Sequence, residues 1–120
     1  CWEKEDVRQA LELTGIRRAA ETLEKPLLIG EIGADTRLSG EERTRELAWF
    51  GNTLSLLNEM GIGYLAWAWH PQEHLMHGMI AGRSFFSGPN DAGKVLVRSL
   101  LEARAGGMRP ALLKLSPDSE

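Results

Sequence analysis

A carboxylate closing an apolar run is the group in this chain best suited to chemistry. Glu31 follows Pro26-Leu27-Leu28-Ile29-Gly30 and is itself followed by Ile32-Gly33. An unpaired carboxylate is expensive to bury, so one at that position is either paired or used. Further along, a second apolar run, Gly63-Tyr64-Leu65-Ala66-Trp67-Ala68-Trp69, ends in His70-Pro71. A carboxylate at one strand end and tryptophans at the next point to a sugar site. Charge would act on the reacting centre and indole faces would stack on the ring.

Other constellations compete for attention. His70-Pro71-Gln72-Glu73-His74 fits the His-x-x-Glu-His pattern of inverted zinc proteases, and His77 lies close by. That chemistry needs both histidines on one helical turn. Here His70 closes a strand and a proline follows it, so zinc proteolysis stands as a minor alternative and no metal ligand is assigned. Gly30, Gly33 and Gly40 do not form a dinucleotide loop, because Glu31 interrupts the spacing and the next helix starts too late. Ser84 and Ser87 lack the Gly-x-Ser-x-Gly setting of an esterase.

These residues need elements to hold them. Helical spacing of Leu13, Ile16, Ala20 and Leu23 predicts a helix over 6–23, with Gly15 a point where it can split. Pro26 ends it and opens a strand over 26–31. The lack of polar alternation there predicts burial on both faces and a parallel sheet. Ser39 and Glu42 fit a capping box for a helix over 41–60, striped by Leu47, Phe50, Leu54 and Leu57 and stopped by Gly61. Asn58-Glu59, near its end, reads as surface. A second strand over 63–69 completes a βαβ unit, which should be right-handed. The stretch 70–90 is irregular and long, as functional or disordered loops are. Asn90 can cap a last helix over 91–105, buried through Leu96, Leu100 and Ala103, and 108–120 reads as a loose tail.

The chain has 120 residues, with 42% apolar and 26% charged side chains, ordinary proportions for one globular domain. A net charge of -3 supplies no basic footprint for nucleic acid or for an anionic membrane surface. No apolar run approaches the ~20 residues of a membrane span. Cys1 is the single cysteine, so no internal disulfide is available. A lipid-modified N-terminal cysteine is one reading of Cys1; a fragment boundary is the preferred one, because helical sequence follows without a spacer.

Two strands do not make a robust sheet, and both would leave open edges. A (β/α)8 barrel needs eight such units in about 250 residues. The expected fold is therefore α/β, residues 1–107 forming the C-terminal portion of a (β/α)8 TIM barrel.

The residues that carry the site resemble clan A glycoside hydrolases, most closely the cellulase-like family 5. Pro26 to Gly33 matches that family's seventh strand, a proline, apolar residues and then Gly-Glu-x-Gly. Trp67-Ala68-Trp69-His70-Pro71, followed by Gly78-Met79-Ile80, matches its aromatic eighth strand and Gly-rich loop. The resemblance implies a retaining hydrolase of β-linked polysaccharide or oligosaccharide, cellulase- or mannanase-like, with no cofactor. It implies Glu31 as nucleophile, Trp69 as sugar platform, and Trp67 and His70 as further substrate contacts. The family's Asn-Glu-Pro acid/base strand and its His-x-Tyr are absent, so the missing N-terminal part of the barrel is the implied partner and the chain alone should not turn over substrate. The alternative reading is a small non-catalytic α/β module binding carbohydrate or protein through its tryptophans.

Overall fold

A computed structural model describes residues 2–106, so Cys1 and the segment 107–120 lie outside the described residues. The fold is mixed α/β. Helices α1 (Lys4–Leu13) and α2 (Ile16–Leu23) lead into strand β1 (Leu28–Ile32). Helix α3 (Gly40–Met60), strand β2 (Gly63–Ala66) and helix α4 (Asp91–Ala105) follow. The strands pair in parallel as a two-stranded sheet.

The N-terminal helix splits at Gly15, which takes φ +75. The break changes the phase of the helical face, so Leu13 and Leu23 end 89% and 55% exposed instead of sharing one buried stripe. Val7 is the side chain of α1 that is buried. Lys4 and Arg8 both pair with Glu59 of α3, tying the two helices together. Helix α3 starts at Ser39 without the expected cap, because the serine side chain makes no capping hydrogen bond. Its C-terminus behaves as expected: Gly61 adopts φ 68 and its N–H bonds back to the Asn58 carbonyl.

The core lies between the sheet and helices α3 and α4. Ala34, Phe50, Leu54, Met79, Ala92 and Leu96 form it, with Ile32, Tyr64 and Ala66 packed against it from the strands. Phe50 and Leu54 are fully buried, each contributing about 1.5–3 kcal/mol of hydrophobic stabilisation. A polar knot crosses the same interface. Asn58 Nδ2 donates to Ser99 Oγ at 2.9 Å, and the Tyr64 hydroxyl lies 3.2 Å from that oxygen. Asn58 is thus not the surface residue its position suggested. Helix α4 spans the expected residues but buries Ala92, Gly93, Leu96 and Ser99, leaving Leu100 half exposed. Among the described residues nothing packs on that side of the helix.

The expectation of two buried sheet faces fails. Helices cover one face only. On the other, Leu28 is 61% and Leu65 56% exposed. Among the described residues no third strand pairs with either edge.

The stretch 70–90 is closely hydrogen-bonded rather than loose. Pro71 bridges Ile80 in parallel, and Ile80 bridges Pro89 in antiparallel fashion. Met79 and Ile80 are fully buried. Asn90 is the keystone. Its Nδ2 donates to Gln72 Oε1 at 2.7 Å and to the Gly78 carbonyl at 2.8 Å. Its Oδ1 accepts from Gly93 N–H at 3.0 Å, forming the helix cap that sequence led us to expect.

Candidate functional site at the C-terminal ends of the strands

The register of β1 against β2 decides where Glu31 points. Ile29 stands opposite Tyr64 and Ile32 opposite Ala66, so β1 uses three steps where β2 uses two. In an unbroken strand, Ile29 and Ile32 would face opposite sides. The extra residue lets Ile32 join Tyr64 and Ala66 on the helix-covered face. Gly30 and Glu31 then both stand opposite Leu65, on the open face. Glu31 is exposed, and none of the ion pairs among the described residues involves it. The strand ends one residue later than expected, at Ile32, so Glu31 is its penultimate residue.

Strand β2 ends at Ala66, three residues short of the expected 63–69. Trp67 and Trp69 therefore sit in the turn beyond the strand, and strand alternation no longer relates them. They are 48% and 49% exposed. The Trp67–Ala68 peptide bond is cis. Gly33 is needed here for close approach, since a Cβ at this position would run into the Trp67 carbonyl oxygen. Trp67 N–H in turn donates to the Ile32 carbonyl at 2.8 Å. The backbone after Glu31 and the backbone of the tryptophan turn are thus in direct contact.

Hydrogen bonds between the loops fix this arrangement. Thr36 donates to the Met76 carbonyl through both its N–H and its hydroxyl, at 2.9 and 2.8 Å. His77 Nδ1 donates to the Ala34 carbonyl at 3.1 Å, while the His77 carbonyl accepts from Ala68 N–H at 3.1 Å. His77 bridges the segment after Glu31 and the segment before Trp69. It is a structural staple that the sequence showed only as one histidine in a His-rich loop.

His70 is half-buried. Its Nδ1 donates to the Pro71 carbonyl at 3.2 Å. Its ring meets Phe85 edge-on at 5.1 Å and His74 at 6.1 Å. His70 therefore continues the aromatic rim from Trp69 to Phe85, a neighbour with no motif to announce it. The helix required by the zinc reading does not form, because 72–74 is a turn and Glu73 is paired with Arg83. No group of three metal-capable side chains occurs among the described residues.

Asp35 lies just past the site and carries no motif that singled it out in the sequence. Arg37 bonds both its oxygens, at 3.0 and 2.7 Å. The guanidinium, and to a smaller degree His77, holds the Asp35 carboxyl down from 3.8 to about 2. The folded value lies below the ordinary one, so the pair's stabilisation is complete above the ordinary value and is lost as pH falls through about 2. An NMR titration should place the Asp35 midpoint near 2, and Arg37→Ala should return it toward 3.8. A midpoint that ignores Arg37→Ala contradicts this assignment.

Grooves occur elsewhere, on the outer surface of α4, between α1, α2 and α3, and beside the N-terminal half of α3, and Glu31, Trp67 and Trp69 line none of these three. Glu31, Trp67 and Trp69 stand instead on an open surface. No helix among the described residues is long and apolar enough to cross a membrane. Comparison with known proteins returns no match to a family model, a curated protein or a solved structure.

Proposed function

We propose that this chain forms the last two strands of a (β/α)8 retaining glycoside hydrolase, resembling the cellulase-like family 5, acting on a β-linked glucan or mannan. The observation that carries the reading is the bulge in β1. It turns Glu31 away from the helix-covered face and leaves a carboxylate with no ion-pair partner among the described residues beside the tryptophan turn, at the C-terminal end of the strand. Catalytic groups of (β/α)8 enzymes occupy that end.

In the mechanism this reading implies, the Glu31 carboxylate attacks the anomeric carbon and the glycosidic bond breaks. A covalent glycosyl-enzyme results. A second carboxyl, about 5 Å away, protonates the leaving oxygen and then activates water, so configuration is retained. That group belongs to the remaining strands. Trp69 offers an indole face to the pyranose C–H face, while Trp67 and His70 extend the contact surface.

The open sheet supports the same reading. Leu28 and Leu65 are exposed where a barrel would bury them, and among the described residues neither sheet edge is paired with a further strand. A non-catalytic module that binds carbohydrate or protein would cover those edges.

The test is to join the chain behind the first six strands of a cellulase-like barrel and assay a soluble β-1,4-glucan. Hydrolysis with retained configuration is expected. A folded fusion that fails to cleave any β-glucan or β-mannan overturns the proposal. The 120-residue chain by itself should show no turnover; robust hydrolysis by it would contradict the assignment of the acid/base to other strands. In the fusion, Trp69→Ala should raise KM by about tenfold through lost stacking. An unchanged KM would remove Trp69 from the sugar contact.

A further inference from the structure

We infer that a second groove, on the outer wall of the fold, binds a neutral oligosaccharide. It has a volume of about 450 Å³ and is lined by Trp2, Leu38, Glu42, Arg45, Glu46 and Trp49. None of these residues belongs to the sheet-end site, and the inference does not depend on Glu31 being a nucleophile.

Helical geometry builds one wall. Glu42, Arg45, Glu46 and Trp49 recur at i, i+3, i+4 and i+7, so they line one face of α3. Leu38, from the loop between β1 and α3, and Trp2, from the segment before α1, complete the groove. Both flanks are anchored. Glu46 Oε1 accepts from Asp35 N–H at 3.0 Å, which ties the loop to α3. Asn52 Nδ2 donates to the Trp2 carbonyl at 3.0 Å, which ties the N-terminal segment to the same helix one turn beyond Trp49. Trp49 is half-buried against the core, so its ring is held in place. Trp2 is 52% exposed.

The chemistry of the lining selects the ligand class. Two indoles offer apolar faces to ring C–H groups. Glu42 and the second oxygen of Glu46 offer acceptors for hydroxyl groups, and Arg45, whose guanidinium also pairs with Glu41, offers its remaining donors. A ligand that both donates and accepts, and carries no net charge, can use all of these groups. An organic cation would use the indoles and carboxylates but has no acceptor for the remaining Arg45 donors. An anion would meet both glutamates. The volume lies within the ~300–1,000 Å³ typical of small-ligand pockets.

The experiment is an NMR titration of the full 120-residue chain, following the indole N–H signals, with cellotriose as the neutral probe and choline and citrate as the charged ones. Millimolar cellotriose should shift the Trp2 and Trp49 signals, and choline and citrate should not. Trp49 also supports the core, so Trp2→Ala and Glu42→Gln carry the test. Trp2→Ala should weaken the affinity read at Trp49 about five- to tenfold, and Trp69→Ala should leave it unchanged. Silence of both signals toward cellotriose, a stronger response to choline, or an affinity indifferent to both substitutions overturns the inference. Shifts at Trp67 and Trp69 report the sheet-end site separately, so loss of one site is distinguishable from loss of the other.

Discussion

In a barrel completed by the remaining strands, Glu31→Gln is expected to reduce glycoside hydrolysis by at least about 10³-fold, in line with the loss of other enzymatic nucleophiles. The substitution keeps the side chain's shape and its place in the β1 bulge but removes the charged oxygen that, in the proposed mechanism, would attack carbon. An amide cannot form or release the glycosyl ester, so kcat falls while oligosaccharide affinity stays nearly the same. The residue is exposed and outside the core, so the loss should come without a change in melting temperature. A second substitution separates a nucleophile from a merely helpful charge. Glu31→Ala opens space beside the anomeric carbon, and added azide should restore turnover by attacking in place of the carboxylate. Rate loss below tenfold for Glu31→Gln, or no azide rescue of Glu31→Ala, would assign the nucleophile elsewhere.

Gly93→Ala is expected to destabilise the chain by about 2–4 kcal/mol, although helix propensity alone predicts a gain of about 1 kcal/mol. Gly93 lies in the first turn of α4 and is buried. A Cβ there would run into the Met79 carbonyl oxygen and come within 2.8 Å of the Pro89 Cβ. Neither neighbour can withdraw easily. The Met79 carbonyl accepts from Asn90 N–H at 3.0 Å, and Pro89 is bridged to Ile80. Moving α4 outward would also stretch the Asn90 cap on Gly93 N–H and open the core around Met79, Ala92 and Leu96. The relevant measurement is urea denaturation of the purified chain, with Arg98→Ala compared with Arg98→Gly, at an exposed position of α4, as the control for helix propensity. A stable or stabilised Gly93→Ala protein would show that α4 can slide over the loop at no cost.

The elements were legible where one local signal sufficed. Proline after Lys25, glycine after Met60 and asparagine before Asp91 each determine a backbone geometry from their own chemistry, so the helix ends beside them follow from sequence, although β1 opens at Leu28 and not at Pro26. Parallel pairing of the strands followed as well, because a long helix between two apolar runs leaves few other connections. The residue type at the strand end made Glu31 conspicuous before its surroundings were known.

Register and packing were a different matter. The bulge that aims Glu31 arises from how β1 pairs with β2, between residues far apart in the chain, and no local pattern of 26–33 encodes it. The exposure of Leu100 follows from the close seating of Gly93 on Met79, which sets the rotation of α4. His77 looked like one of several loop histidines until two loops were placed together around it. Sequence by itself determined where the helices and the two strands lie, because those choices rest on backbone sterics and short-range periodicity, but not where each strand begins and ends. Tertiary structure decided which side each chemical group faces and what it meets, because a one-residue change of register or a small helix rotation reverses the answer without altering a single local preference.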